Sequence, residues 1–320
     1  MDKPFKELDE QIEILSNRGL IIDDYDLTKN YLLYNNYYTT INGIGAVFAN
    51  NDRFIEGTKF SQIVALQQFD SRFKNTIFKF VLDIEKYFKS VLVYEFSKSY
   101  PNDADFYLNY NCYSSEIFYK DDIINLINML NKVIDKYSES LGENAIKFYR
   151  NHHDCLPLWV LVGFLDFGQS LLMYKCLPES IKNSISLDFS NLVIRNHGIK
   201  YRFTPKRLAT IMRQIKELRN LIAHNNRLFY YEFSNSTPFI PFLHKIYGMQ
   251  SADERTGIFH IIILLRVFLN NDQYIVLHNS IHGHLRTLRR KISEENFNRV
   301  LDSLNFCNDF LSNFPKVLLK

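Results

Sequence analysis

Apolar residues recur along most of this chain at intervals of three and four, the spacing of one helix face. Leu208, Ile211, Met212, Ile215, Leu218 and Ile222 form one such stripe. Thr204-Pro205 stands just before it, an N-cap followed by a first-turn proline, so a helix is expected to begin there. A longer stripe, Ile77, Phe80, Val81, Ile84, Phe88, Val91 and Leu92, marks a helix over about 60–100, with room for a bend at Phe69-Asp70.

The same periodicity predicts helices over 7–18, closed by a C-cap at Gly19, and over 24–40. Residues 43–57 read as a loop and 101–114 as a polar turn region. A helix is expected over 115–137, then a helix end or connector over 141–154. Leu156-Pro157-Leu158-Trp159 opens a helix that should run to about Cys176, with Leu165-Asp166-Phe167-Gly168 inside it and Trp159 as a core anchor. Residues 178–203 read as a mixed connector with a short helix near 180–186. Beyond 229 an irregular segment with one short helix leads to helices over 252–271, 272–291 and 293–314.

No internal repeat or low-complexity linker divides the chain. The organisation expected is an N-terminal helical extension, 1–57, and a helical domain, 58–320. Only 11 Gly and 8 Pro interrupt 320 residues, and the 46% hydrophobic content can fill a large core, so the fold class expected is all-α. A net charge of +3 excludes a polybasic nucleic-acid binder, and any RNA contact must come from a local patch. Cys112, Cys155, Cys176 and Cys307 are scattered without paired spacing, which reads as reduced thiols. The opening residues 1–6 lack the apolar run of a secretion signal, and the run from Ile258 to Leu269 is too short for a bilayer. A cytoplasmic protein with no membrane partner is expected.

Candidate chemistry concentrates at the end of the first stripe, where Arg219, Asn220, His224, Asn225 and Arg227 crowd together. At about 100° per residue Asn220 and His224 share a helix face and Arg227 follows, whereas Arg219 and His224 diverge by roughly 140°. One copy does not aim both groups at one atom. A two-fold dimer brings identical patches together and could supply the missing group. Arg286, Arg289, Arg290 and Lys291 form a second basic cluster, able as a helix face to follow an RNA backbone. His278 and His282 share a face near His284, but no Cys or carboxylate lies close by to complete a zinc site. His152, His153, Asp154 and Cys155 read as an exposed loop, and no metal or other cofactor is expected. Asp166-Phe167-Gly168 imitates the kinase triplet without a phosphate loop or a His-Arg-Asp loop, and that reading is rejected.

The spacing Arg219-x-x-x-x-His224 resembles the R-x-x-x-x-H motif of the HEPN superfamily. The longer string from Arg219-Asn220 to Arg227-Leu228 resembles the Abi-like abortive-infection proteins of bacteria, which are HEPN members. Glu10-Gln11-Ile12, Arg18-Gly19-Leu20, Tyr37-Tyr38, Pro157-x-Trp159 and Phe167-Gly168-x-Ser170 extend that resemblance over about 7–229. Asn225 and Phe229-Tyr230 depart from it, standing where relatives often carry a second His or Ser and a Trp-Asn.

The resemblance implies a HEPN-like helical bundle with extra C-terminal helices, and an acidic residue facing the motif helix, for which Glu85 is the candidate ahead of Asp83. It implies a metal-independent endoribonuclease acting as a toxin-type anti-phage protein. A ribose 2′-OH would attack the adjacent phosphate and break its bond to the 5′ oxygen, leaving a 2′,3′-cyclic phosphate and a 5′-OH. His224 would move the proton near neutral pH. Arg219 would hold the charge building on phosphorus oxygens. Asn220 would orient His224 or hold the phosphate, and Arg227 and Asn225 would contact the RNA backbone. The partners expected are RNA, a second copy of the chain and an antitoxin. Two rival readings fit the same residues: a module that holds a noncoding RNA or antitoxin without cutting, and a scaffold in which Arg219 and His224 cap the helix C-terminus.

Overall fold

The computed structural model describes residues 4–153 and 155–317; Asp154 and the first three residues of the chain lie outside that range. The fold is an all-α bundle, with one short antiparallel hairpin pairing Ala49–Asn50 with Arg53–Phe54 among the described residues. The helices are α1 (Leu8–Asn17), α2 (Tyr25–Tyr34), α3 (Phe60–Lys98), α4 (Lys120–Ser138), α5 (Ala145–His152), α6 (Leu158–Leu161) and α7 (Phe167–Cys176). They continue with α8 (Glu179–His197), α9 (Pro205–Ala223), α10 (Pro241–His244), α11 (Ile258–Phe268), α12 (Asn271–Arg289), α13 (Glu294–Ser303) and α14 (Phe310–Asn313).

The axis of the bundle is α3, 39 residues without a break and so about 58 Å long. Helices α7, α8, α9, α11 and α12 all pack on it. Its buried positions follow the predicted stripe, with Ile77, Phe80, Val81, Ile84, Phe88 and Leu92 nearly or fully out of solvent. The apolar run after Gly257 becomes α11, buried against α3, α8 and α9. No helix among the described residues is long and apolar enough to cross a membrane. The N-terminal helices join the foot of α3 through a bridge in which Ile21 bonds Thr58 and Phe60, and Tyr31 sets its ring edge-on to Phe60.

Several sequence expectations change. The helix expected over 24–40 stops at Tyr34, because the Asn35 side chain donates to the Tyr31 carbonyl and its backbone turns extended. The segment expected to be a loop after 43 is partly helical: a π-turn at Tyr38–Ile44 runs into a 3₁₀ turn at Gly45–Phe48. The helix end or connector expected over 141–154 contains a separate helix, α5, whose Asn144 caps it through the Lys147 N–H. The supposed connector after 178 is the 19-residue α8. Its stripe of Ile181, Ile185, Phe189, Leu192 and Val193 was masked by Lys182, Ser186 and Ser190, which are buried too because α8 touches α3, α9 and α11. The helix expected over 156–176 breaks at Leu165, and Asp166 starts α7 as a reciprocal capping box with Gln169. Trp159 is 60% exposed and anchors nothing, since α6 is a single turn whose Leu158 and Leu161 take the core positions. The last expected helix divides into α13 and α14 at a turn through Asn305, whose φ is +62°.

Candidate active site

Helix α9 begins as its sequence dictates: Thr204 accepts the Arg207 N–H at 3.2 Å and Pro205 occupies the first turn. Leu208, Ile211, Met212, Ile215, Leu218 and Ile222 are all buried, each stabilising the packed helix by roughly 1.5–3 kcal/mol. The helix ends earlier than the motif. Ala223 is its last residue, His224 is the C-cap and Asn225 takes the left-handed conformation with φ +52°. The Asn225 N–H bonds Ile222 O at 2.9 Å and the Asn226 N–H bonds Leu221 O at 2.8 Å. That pair of bonds is a Schellman turn with Asn in the place glycine usually holds. Arg227 therefore does not continue the Asn220–His224 face, as a regular helix would require; it lies in the loop beyond and is exposed.

Two buried ion pairs on one face of α3 lie against the end of α9, and the first of them holds this turn. Lys74 and Asp70, each about 95% buried, meet at 2.6 Å, and the same ammonium donates to Asn225 Oδ1 at 3.2 Å. Burial raises the Asp70 carboxyl above its usual range despite Lys74 beside it. Three turns on, Glu85 receives Lys89 at 2.7 Å through one oxygen and stands 3.4 Å from Arg219 Nε with the other. The Arg219 side chain is 29% exposed, and its Nη1 reaches Asn220 Oδ1 at 3.5 Å. Arg219 thus lies between Glu85 of α3, on its Nε side, and Asn220 of its own helix, on its Nη1 side. His224 is exposed, and neither its ring nor the Arg219 side chain bonds a carbonyl of α9 among the described residues. The backbone caps that end instead.

The start of α7 joins the same network. Lys89, already on Glu85, donates to Leu165 O at 2.6 Å. Phe167 packs edge-on to Phe88 of α3, and Ser170 is fully buried with its hydroxyl on Asp166 O. Gly168 sits where a methyl group would come 3.1 Å from Asp166 Oδ1, so a side chain there would crowd the carboxylate that caps α7, whereas the Lys216 side chain of α9 lies at an ordinary contact distance of 3.9 Å. Behind the motif, the Tyr231 hydroxyl donates to Glu217 of α9 at 2.5 Å; burial, then Glu217, pushes that hydroxyl up to about 12.

The second basic cluster lies elsewhere. Lys74 faces Asn225, whereas Thr76, about 200° round α3, bonds His284 of α12 at 2.9 Å. Arg286, Arg289 and Arg290 follow on α12, on the far side of α3 from α9. Arg289 is gripped by Glu294 at 3.0 and 2.5 Å, while Arg286 and Arg290 have no carboxylate partner among the described residues. His278 and His282 are buried, with Nε2 of each on a carbonyl, Pro315 O and Leu311 O.

Asn225 thus serves the turn twice, through its backbone and through Lys74. Asn225→Ala should destabilise the protein by about 1–2 kcal/mol for the left-handed backbone alone, with the lost Lys74 contact added. Asn225→Gly tolerates φ +52° and should lose less. Denaturant unfolding of both variants decides; equal losses would show that the turn geometry carries no weight.

The model of a family described as Abi-like protein matches residues 29–230, more than half of the chain. No curated protein and no solved structure matches it.

Proposed function

The chain belongs to the Abi-like protein family, and from that premise we propose that it is an abortive-infection defence protein of the HEPN kind that cuts RNA without a metal ion. The observation that carries the reading is the pairing at the end of α9. Arg219 is held against Glu85 and stays partly exposed, and five residues on His224 stands exposed on a turn fixed by Lys74. A fixed cation and a residue that titrates near neutral pH are what transesterification of RNA requires. Arg219 grips the phosphate, His224 transfers the proton, and Asn220, bonded to Arg219, keeps the guanidinium in place. Glu85 acts on Arg219 from behind. Arg227 contacts the RNA backbone beyond the scissile bond.

Arg219 and His224 lie five apart and diverge round the helix, so two copies of the motif, one from each protomer, complete one cleft. The protein is therefore a homodimer with the two α9 ends facing each other. The test joins activity to assembly. RNA incubated with the protein in EDTA should yield fragments ending in 2′,3′-cyclic phosphate, and light scattering at micromolar concentration should give the dimer mass. Full activity from a monomer would remove the shared cleft. RNA bound but uncut would favour a module that holds a noncoding RNA or an RNA antitoxin.

A further inference from the structure

At the C-terminal end of α12 lies an open cavity of about 740 Å³, lined by His282, Arg286, Arg289, Arg290, Glu294 and residues of the chain's last described segment. Its charges come from separate places. Arg286 on α12 and Arg290, its C-cap, are four apart and both line the cavity, separated by about 6 Å of helix rise. Lys316 arrives from beyond α14, and its ammonium would stand 3.7 Å from a methyl group placed on Gly283, one turn before Arg286. The single carboxylate of the lining, Glu294, is already spent on Arg289. Three cations without a carboxylate partner among the described residues thus share one concavity. The negative end of the α12 dipole accounts for arginines in its last turn. It does not account for a lysine brought to the same cavity by another segment.

We infer that this cavity holds two consecutive phosphates of an RNA strand, one on Arg286 and the other on Arg290, with Lys316 adding charge beside them. Guanidinium groups bind phosphate by two parallel hydrogen bonds, and a one-turn spacing matches neighbouring phosphates of a strand better than the tighter phosphates of a free nucleotide. Arg289, neutralised by Glu294, shapes the wall and carries no phosphate, so the expectation of three equivalent arginines narrows to two. The inference rests on the RNA-directed reading above. It places a second contact across α3 from the motif, where it sets affinity and leaves the cleavage step alone.

The experiment uses the full chain carrying His224→Ala, so that a labelled single-stranded RNA stays intact, and follows binding by anisotropy over a salt series. Arg286→Ala/Arg290→Ala should reduce the slope of log K against log salt by about 1.4, two contacts at about 0.7 each. The weakening should be similar for unrelated RNA sequences. Arg286→Lys/Arg290→Lys should keep most of the slope, and the neutral exchange Arg289→Gln/Glu294→Gln should leave it unchanged. A slope indifferent to the double alanine change overturns the proposal, as does a lysine variant that loses as much as the alanine one. ATP displacing the RNA as effectively as unlabelled RNA does would make this a nucleotide pocket and overturn it too. Cleavage by the unsubstituted protein is scored separately: a slope change without any cleavage sinks the nuclease and leaves this site standing.

Discussion

His224→Ala should lower RNA cleavage by roughly 10²–10⁴, the usual worth of a positioned general acid or base, while RNA binding barely changes. The proposed reading gives His224 the proton and not the phosphate, and the exposed ring has no hydrogen bond to lose among the described residues. Arg219→Ala should also abolish most cleavage, because it removes the cation that meets developing charge. It differs in binding: one phosphate contact disappears and the salt slope falls by about 0.7. Arg219→Lys should rescue poorly, since an ammonium lacks the planar two-point grip. All three variants should remain folded, because Arg219 is partly exposed and Glu85 keeps Lys89 at 2.7 Å. Cleavage in EDTA, a salt series and circular dichroism together separate the roles. Undiminished cutting by His224→Ala would remove the mechanism, and unfolding of either alanine variant would return Arg219 or His224 to a structural role.

The second large effect is on stability. Asp70→Ala should destabilise the protein by about 3–5 kcal/mol, the consequence of leaving a buried ammonium unpaired. Lys74 and Asp70 are each about 95% buried, so solvent screening does little to soften the loss. The raised Asp70 carboxyl shows that burial outweighs the attraction of Lys74. Asp70→Leu/Lys74→Leu should therefore regain most of the stability, as apolar replacements of buried pairs often do. It should not regain activity, because Asn225 loses the ammonium that fixes the turn beneath His224. Urea unfolding set beside cleavage rates makes the comparison. A double variant that is both stable and fully active would show that the pair does nothing for the motif.

The helical architecture was legible because apolar spacing and caps agreed, as at Thr204-Pro205 and along Ile77–Leu92. The end of α9 was legible as well, since Asn after the last periodic residue is a stop signal second to Gly. Its place beside His224 drew attention to chemistry and away from the backbone. Asp166 suffered the same way: Asp-x-x-Gln is a capping box, obscured by its likeness to a kinase triplet. Helix α8 was lost to serines and a lysine that look solvated and are buried, which only the helices on three sides explain. Glu85 is legible through resemblance and its partner Lys89 through the spacing of four along one helix, but Arg219 is not, because no spacing says which side chain of another helix lies opposite. The Asp70–Lys74 pair left a trace, two opposite charges four apart inside a run of Phe69, Phe73 and Ile77. It was passed over.

The length of α3 has a consequence for how the protein comes into being. The helix is synthesised before α9 and α12, yet Asn225 meets Lys74 across 151 residues and His284 meets Thr76 across 208. Contacts so distant in sequence form late and slowly. Until α9 and then α12 leave the ribosome, two long apolar flanks of α3 stand uncovered, a liability to aggregation that favours chaperone attention over spontaneous collapse. The turn carrying His224 gains its anchor on Lys74 only in that late phase, and the α12 side of the axis closes later still. A chain stopped before α12 therefore holds α9 and its turn against an axis still open along the flank that α12 covers.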